Sequence, residues 1–254
     1  MTITSAGKTD TGKTRKNNED SYLVDDGMGL YAVADGIGGH EGGEVASRMA
    51  IEGLSEIVRE RCSGADNTPA HGISAKGDTA GAALSHAFML ANGKIRQAAA
   101  ENPALLRMGT TLTAFWFRGK TAHLAHVGDS RAYRLRAGVL TRVTDDHTVI
   151  ADQVRAGLLT YKQAQKSPYR HVITRALGID PDLVVDHQVL EAGPDDTFLL
   201  CTDGLTEMVD DETIRRILKD ASPQEAAERL VREANDRGGA DNITVVVVQM
   251  KDNR

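Results

Sequence analysis

The sequence predicts an α+β fold in which antiparallel β-sheet is covered by helices, and three observations carry that expectation. Helical periodicity falls in two sets, with a run of strands between them. Those strands are joined mostly by hairpin-type turns. Strands and helices do not alternate as they would around a parallel sheet. With 254 residues, 41% of them hydrophobic, the chain can bury a substantial core. No linker divides it, so residues 1–254 are expected to form a single domain.

The elements follow in order. "GLYAVAD" (29–35) reads as a buried strand that ends at an acidic turn. From Glu41 to Cys62, Ala46, Ala50, Leu54, Ile57 and Val58 recur at helical spacing. Residues 63–78, rich in Gly, Ser, Asp and Asn, read as a loop. A second helix carries Leu84, Ala87, Phe88, Ala91 and Ile95 on one face. "TTLTAFWFRGKTAHLAHVG" gives two strands joined at Arg118-Gly119-Lys120, and "SRAYRLRAGVLTRVT" a hairpin turning at Ala137-Gly138. Residues 144–178 form a polar, mildly helical excursion. Strands return at "VVDHQVL" (184–190) and "TFLLCTD" (197–203). "SPQE" (222–225) is a capping box with Pro223 in the first helical position, followed by an apolar face of Ala227, Leu230, Val231 and Ala234. "NITVVVVQM" (242–250) is the final strand.

Composition excludes several classes of function. The formal charge is -6, from 36 acidic and 30 basic residues, without a basic run suited to nucleic acid. Cys62 and Cys201 form neither a metal-ligand pair nor a disulfide framework, which suits a reducing, cytoplasmic setting. Neither is followed at the sixth position by the Arg of a thiol phosphatase, since Thr68 and Glu207 stand there. The longest aliphatic stretch, "VVVV" (245–248), is far too short to span a bilayer, so no membrane association is expected.

"GKTDTGKT" (Gly7–Thr14) matches the spacing of a nucleotide-binding phosphate loop. Such a loop needs a buried strand before it and a helix after it. Here "MTITSA" precedes it and the charged "RKNNED" follows, a poor helix start.

Acidic residues mark the strand ends. Asp35 ends "YAVAD" before Gly36, Asp203 ends "FLLCTD" before Gly204, Asp241 precedes the last strand, and Asp129 sits in "HVGDSR". Each Asp-Gly, taken alone, is also an ordinary turn. If the last strand runs antiparallel to the other two, these acids gather at one end of the sheets. Carboxylates brought together without a counter-charge repel and raise each other's pKa values, which a divalent cation relieves. All-oxygen ligation favours Mg²⁺ or Mn²⁺, and two such ions suit in-line displacement at phosphorus. Arg15, with Glu19 and Asp20 close behind it, offers a planar fork for phosphate oxygens.

Taken together, "RKNNED", "VADGIGGHEGGEVAS", "GTTLTAFW", "HVGDSRAYRL", "DDHT", "ITRALG", "LLCTDGL" and "ADNITVVVVQM" resemble the metal-dependent protein phosphatase family (PPM, type 2C), in the family's order from about Gly7 to Met250. The resemblance implies a four-layer α-β-β-α sandwich of two antiparallel sheets flanked by helix pairs. It implies two or three Mn²⁺ or Mg²⁺ ions. Asp35 would bridge two of them, Gly36 would lend its backbone carbonyl, and Asp203 and Asp241 would complete the first site. Asp129 would join Asp203 at a third ion, Glu19 and Asp20 would hold ion-bound waters, and Arg15 would bind phosphate. Residues 144–178 correspond to the flap beside the active site.

The family's eukaryotic members place a His two residues after the bridging Asp, where this chain has Ile37; His40 follows three residues later, as a general acid or merely as a helix cap. The implied activity is hydrolysis of phosphoserine and phosphothreonine in proteins, by a monomer opposing a eukaryotic-like Ser/Thr kinase. Two rival readings stand beside it: a phosphate-loop nucleotide-binding protein, and a catalytically silent phosphoprotein-binding module of the same fold.

Overall fold

The computed structural model describes residues 2–38, 42–62, 79–164 and 167–252. The loop read at 63–78 and the candidate His40 lie outside the described residues. The strands are β1 (Thr2–Asp10), β2 (Asp20–Asp25), β3 (Leu30–Ile37), β4 (Gly109–Thr110), β5 (Leu112–Arg118), β6 (Thr121–Val127), β7 (Arg131–Arg136), β8 (Val139–Arg142), β9 (Asp186–Glu191), β10 (Thr197–Cys201) and β11 (Ile243–Lys251). The helices are α1 (Gly42–Cys62), α2 (Thr79–Glu101), α3 (Val149–Arg155), α4 (Tyr161–Ala164), α5 (Asp203–Thr206), α6 (Asp211–Asp220) and α7 (Pro223–Asp236).

Two antiparallel sheets form, in the orders β1-β11-β10-β7-β8 and β2-β3-β5-β6-β9, with β4 paired to β3. Side chains alternate across each strand, and both faces are used. In β11, Val245 and Val247 pack with Ile214, Ile217, Leu230 and Val231 of α6 and α7. The intervening Val246 and Val248 pack between the sheets with Tyr31, Phe115 and Phe198. Phe115 and Phe198 meet edge to face across that layer at 5.1 Å, a favoured aromatic geometry. On the far side, Leu30, Ala32 and Ala34 of β3 meet Leu54, Phe88 and Ala91 of α1 and α2. Three cores therefore separate four layers, α-β-β-α. "VVVV" is buried on both faces, which is why it shows no polar alternation.

Local signals act where they were read. Ser222 and Glu225 cap α7 reciprocally. The Ala137-Gly138 turn takes positive φ at both residues (50° and 79°), as a tight hairpin requires. The segment 144–178 contains the short helices α3 and α4.

Two details refine the sequence reading. Asp203 does not end a strand; it is the first residue of the helical turn α5, one residue beyond its N-cap, Thr202. Helix α6, capped by Asp210 and anchored by Ile214, Ile217 and Leu218, was not anticipated. The nucleotide-loop match fails on context: β1 is an edge strand, and residues 11–19 loop directly into β2 with no helix between. Gly12 is there for another reason. Its φ is +77°, and a Cβ would sit 2.2 Å from the Asp241 carbonyl oxygen.

Candidate metal centre

The register of β2 against β3 sets Asp20 opposite Asp35. The antiparallel pairing of β10 with β11 brings the end of one strand to the start of the other, so Asp203 and Asp241 lie at a common end. Thr202 joins the two sheets there. Its hydroxyl donates to Asp20 Oδ2 (2.9 Å) and accepts from the Thr244 N–H (3.0 Å).

Asp35 is fixed through its backbone. Its N–H donates to Thr111 Oγ1 (2.9 Å), and its carbonyl accepts from the Thr110 hydroxyl (2.8 Å). Thr111 Oγ1 in turn meets Ser130 Oγ at 2.7 Å, next to Asp129. Gly36 cannot carry a side chain, because a Cβ would lie 2.2 Å from the Gly43 carbonyl and 2.5 Å from that of Glu19. The Glu19 backbone is held by Asn242, whose Oδ1 accepts the Glu19 N–H (2.8 Å). Asn242 Nδ2 also donates to the carbonyls of Thr11 (2.9 Å) and Asn17 (3.0 Å). One buried amide thus pins the whole loop that bears Arg15.

The electrostatics show how closely these acids converge. Burial, then repulsion from Asp20, Asp203, Asp129 and Asp241, pushes Asp35 well above the usual carboxylate range. Burial and neighbouring Asp203 do the same to Asp129. Asp20 rises to about 7 and Asp203 to about 6, burial being the main cause in each. Burial also raises Glu19 and Glu207. Among the described residues, Asp20 Oδ1 and Asp203 Oδ1 are buried with no hydrogen-bond partner. Orphaned carboxylate oxygens in a field of like charge fit a hard divalent cation, and the donor set is oxygen, as Mn²⁺ and Mg²⁺ require.

Arg15 Nη2 lies 2.6 Å from Asp241 Oδ2, with the arginine side chain half exposed. The spacing of the acids is uneven. Among the described residues, the ligand atoms of His171, Asp203 and Glu207 all fall within 4.8 Å of one another. His171, brought in by the 144–178 segment, contacts Glu207 at 2.6 Å. Neither His171 nor Glu207 was singled out in the sequence, and no local pattern marks them. Asn242 was visible as the residue after Asp241, but its side-chain contacts were not. A cavity of about 520 Å³ adjoins this cluster, lined by Asp129, Asp203 and Glu207 and by Ile150, Val154 and Tyr161 of the segment. Cys201 is buried, with its thiol pushed up to about 12, so it is no nucleophile at neutral pH.

A four-layer sandwich with acids gathered at its sheet ends defines a class of metal-dependent hydrolase folds, and comparison with known proteins identifies the family. The family described as Protein phosphatase 2C matches residues 11–236, and the chain belongs to it. The serine/threonine protein phosphatase PstP of Mycobacterium tuberculosis is 40% identical over 250 residues, covering 97% of this chain and 45% of PstP. This chain thus spans less than half of that relative's length. The serine/threonine phosphatase stp of Listeria monocytogenes is 36% identical over 246 residues, covering 95% of this chain and 94% of stp. The crystal structure of the PstP catalytic domain in complex with two manganese ions superposes with a TM-score of 0.83 at 39% identity, covering 98% of this chain and 99% of that one. Among the described residues, no helix is long and apolar enough to cross a membrane.

Proposed function

We propose that this chain is a metal-dependent protein phosphatase that hydrolyses phosphoserine and phosphothreonine in protein substrates. The observation that carries the reading is the convergence of Asp20, Asp35, Asp129, Asp203 and Asp241 from separated segments, with buried oxygens on Asp20 and Asp203 that no donor among the described residues satisfies. When bound, two or three Mn²⁺ or Mg²⁺ ions supply Lewis acidity and an activated water for in-line displacement at phosphorus.

The chain's own residues do the rest. Asp35, Asp203 and Asp241, with the Gly36 carbonyl, would hold the first two ions, and Asp129 with Asp203 would hold a third. Glu19 and Asp20 would orient water at the ions, while Thr202 and Thr111 keep Asp20 and Asp35 in place. Arg15 grips the phosphoryl oxygens, for which its planar fork is suited. His40 is kept as a candidate proton donor to the leaving alkoxide. The residues around the phosphorylated side chain have room in the cavity beside the 144–178 segment. Relatives named as serine/threonine phosphatases support substrates phosphorylated by Ser/Thr kinases. The two free cysteines of this chain, Cys62 and Cys201, fit action in a reducing compartment such as the cytoplasm.

The test is Mn²⁺-dependent release of phosphate from a phosphothreonine peptide. Asp203→Asn is expected to lower turnover at least about 100-fold, the scale for losing a centre's charge stabilisation. Full activity in that variant, or in chelator-treated protein, would refute the mechanism.

A further inference from the structure

The sequence stretch Asp145-Asp146-His147 has no role in the centre described above, yet it brackets Asp129. The Asp145 carbonyl accepts from His126 Nε2–H (3.0 Å). Asp146 takes the Arg131 guanidinium at two points, Nε at 2.9 Å and Nη2 at 2.7 Å. The His147 N–H donates to the Gly128 carbonyl (2.8 Å), and the Gly128 N–H donates back to His147 Nδ1 (3.0 Å). Three consecutive residues therefore grip positions 126, 128 and 131, with Asp129 between them.

The other side of the His147 ring faces Asp186. Accepting at Nδ1 fixes its proton on Nε2, which donates to Asp186 Oδ2 (3.1 Å). Asp186 Oδ1 receives Arg175 Nη1 at 2.8 Å, and the His147 carbonyl accepts the Thr174 N–H (2.8 Å). Residues 174 and 175 are the returning limb of the 144–178 segment. The ring is buried (1% exposed) and tilted over His126 at 4.7 Å. Burial holds both rings in their neutral form, lowering His147 and pushing His126 down to about 4.

We propose that His147 is a positioning residue that fixes the Asp129 turn through Gly128 and ties it to the returning limb, so that ion affinity at Asp129 and the order of the 144–178 segment are set together. This rests on the reading of Asp129 as an ion-binding carboxylate. The two ring nitrogens separate the two roles. An Asn side chain keeps an acceptor near the Nδ1 position, whereas Gln keeps a donor near Nε2.

The experiment titrates the full chain with Mn²⁺ by calorimetry and follows hydrogen exchange of peptides spanning 144–178. His147→Ala is expected to weaken the weakest-bound Mn²⁺ about 3- to 10-fold, the range of one hydrogen bond, and to speed exchange in the segment. His147→Asn should restore ion affinity but not exchange protection, and His147→Gln the reverse. A merely structural role would lower the melting temperature of all three variants without that split, and would overturn the proposal. If His147→Ala fails to fold, the Asn and Gln variants still decide. Asp129→Asn is the control. Should it retain the weakest ion, the reading of Asp129 fails and the proposal falls with it. Should it lose that ion while His147→Gln binds like the unmodified protein, only the proposal falls.

Discussion

Replacing Asn242 by Ala tests whether one buried amide holds the loop that bears Arg15. Asn242 is 5% exposed and makes three hydrogen bonds, to the Glu19 N–H and to the carbonyls of Thr11 and Asn17. At about 1 kcal/mol each, their loss would amount to about 3 kcal/mol if nothing replaced them. Asn17 is exposed, so water recovers its carbonyl and the expected loss is about 2 kcal/mol. For a chain of this size that lowers the melting temperature by roughly 4–8 °C. Arg15 lies in the released loop, so KM for a phosphopeptide should rise more than kcat falls. Asn242→Asp keeps the acceptor for Glu19 but turns a buried carboxylate oxygen toward the Thr11 and Asn17 carbonyls, and should melt no higher than Asn242→Ala. Thermal melts and Mn²⁺-saturated kinetics on the same preparations read both effects. An unchanged melting temperature together with an unchanged KM would show that the loop is held by other contacts.

Two further outcomes follow from the same geometry. Asp20 and Asp203 have folded-state pKa values of about 7 and about 6, above the unfolded range near 4. The native metal-free chain therefore binds more protons than the unfolded chain between about pH 4 and 7, and its stability falls as pH rises through that window. Metal-free protein should melt at a higher temperature at pH 5 than at pH 7.5, with Mn²⁺ giving its larger gain at pH 7.5; equal gains at both would contradict the assignment. Arg15→Ala removes a half-exposed ion pair of little stability value, about 0–1 kcal/mol, yet should raise KM for phosphate esters. Arg15→Lys should recover that only in part, because an ammonium cannot reproduce the two-point grip.

How much was legible in the sequence depended on how local each cause is. The strand runs around Tyr31, Phe115 and Val246 could be read because burial on both faces removes polar residues altogether. The capping box at Ser222 could be read because it is complete within four residues. Helix α6 was missed because its apolar anchors are only Ile214, Ile217 and Leu218, set among charges. The acids at strand ends could be found because a carboxylate beside an apolar run is conspicuous. Their supports could not. Thr111 beneath Asp35, Thr202 beneath Asp20 and Asn242 beneath Glu19 act across strands far apart in sequence, where register alone decides who meets whom. His171 reaches Glu207 only because the 144–178 segment folds back over the sheet end.

The pairing of Arg15 with Asp241 spans 226 residues, and Thr202 reaches Asp20 across 182. The centre is thus a clasp between the two ends of the sequence. A ribosome-bound chain has no such clasp until Asp241 has emerged and β11 has paired with β1, so on the proposed reading ion loading would report that the whole sandwich has closed. Contacts of such long range also form slowly, because chain closure must precede them. On the proposed reading, a chain without Asp241 would carry the other acids but would lack a complete ion site.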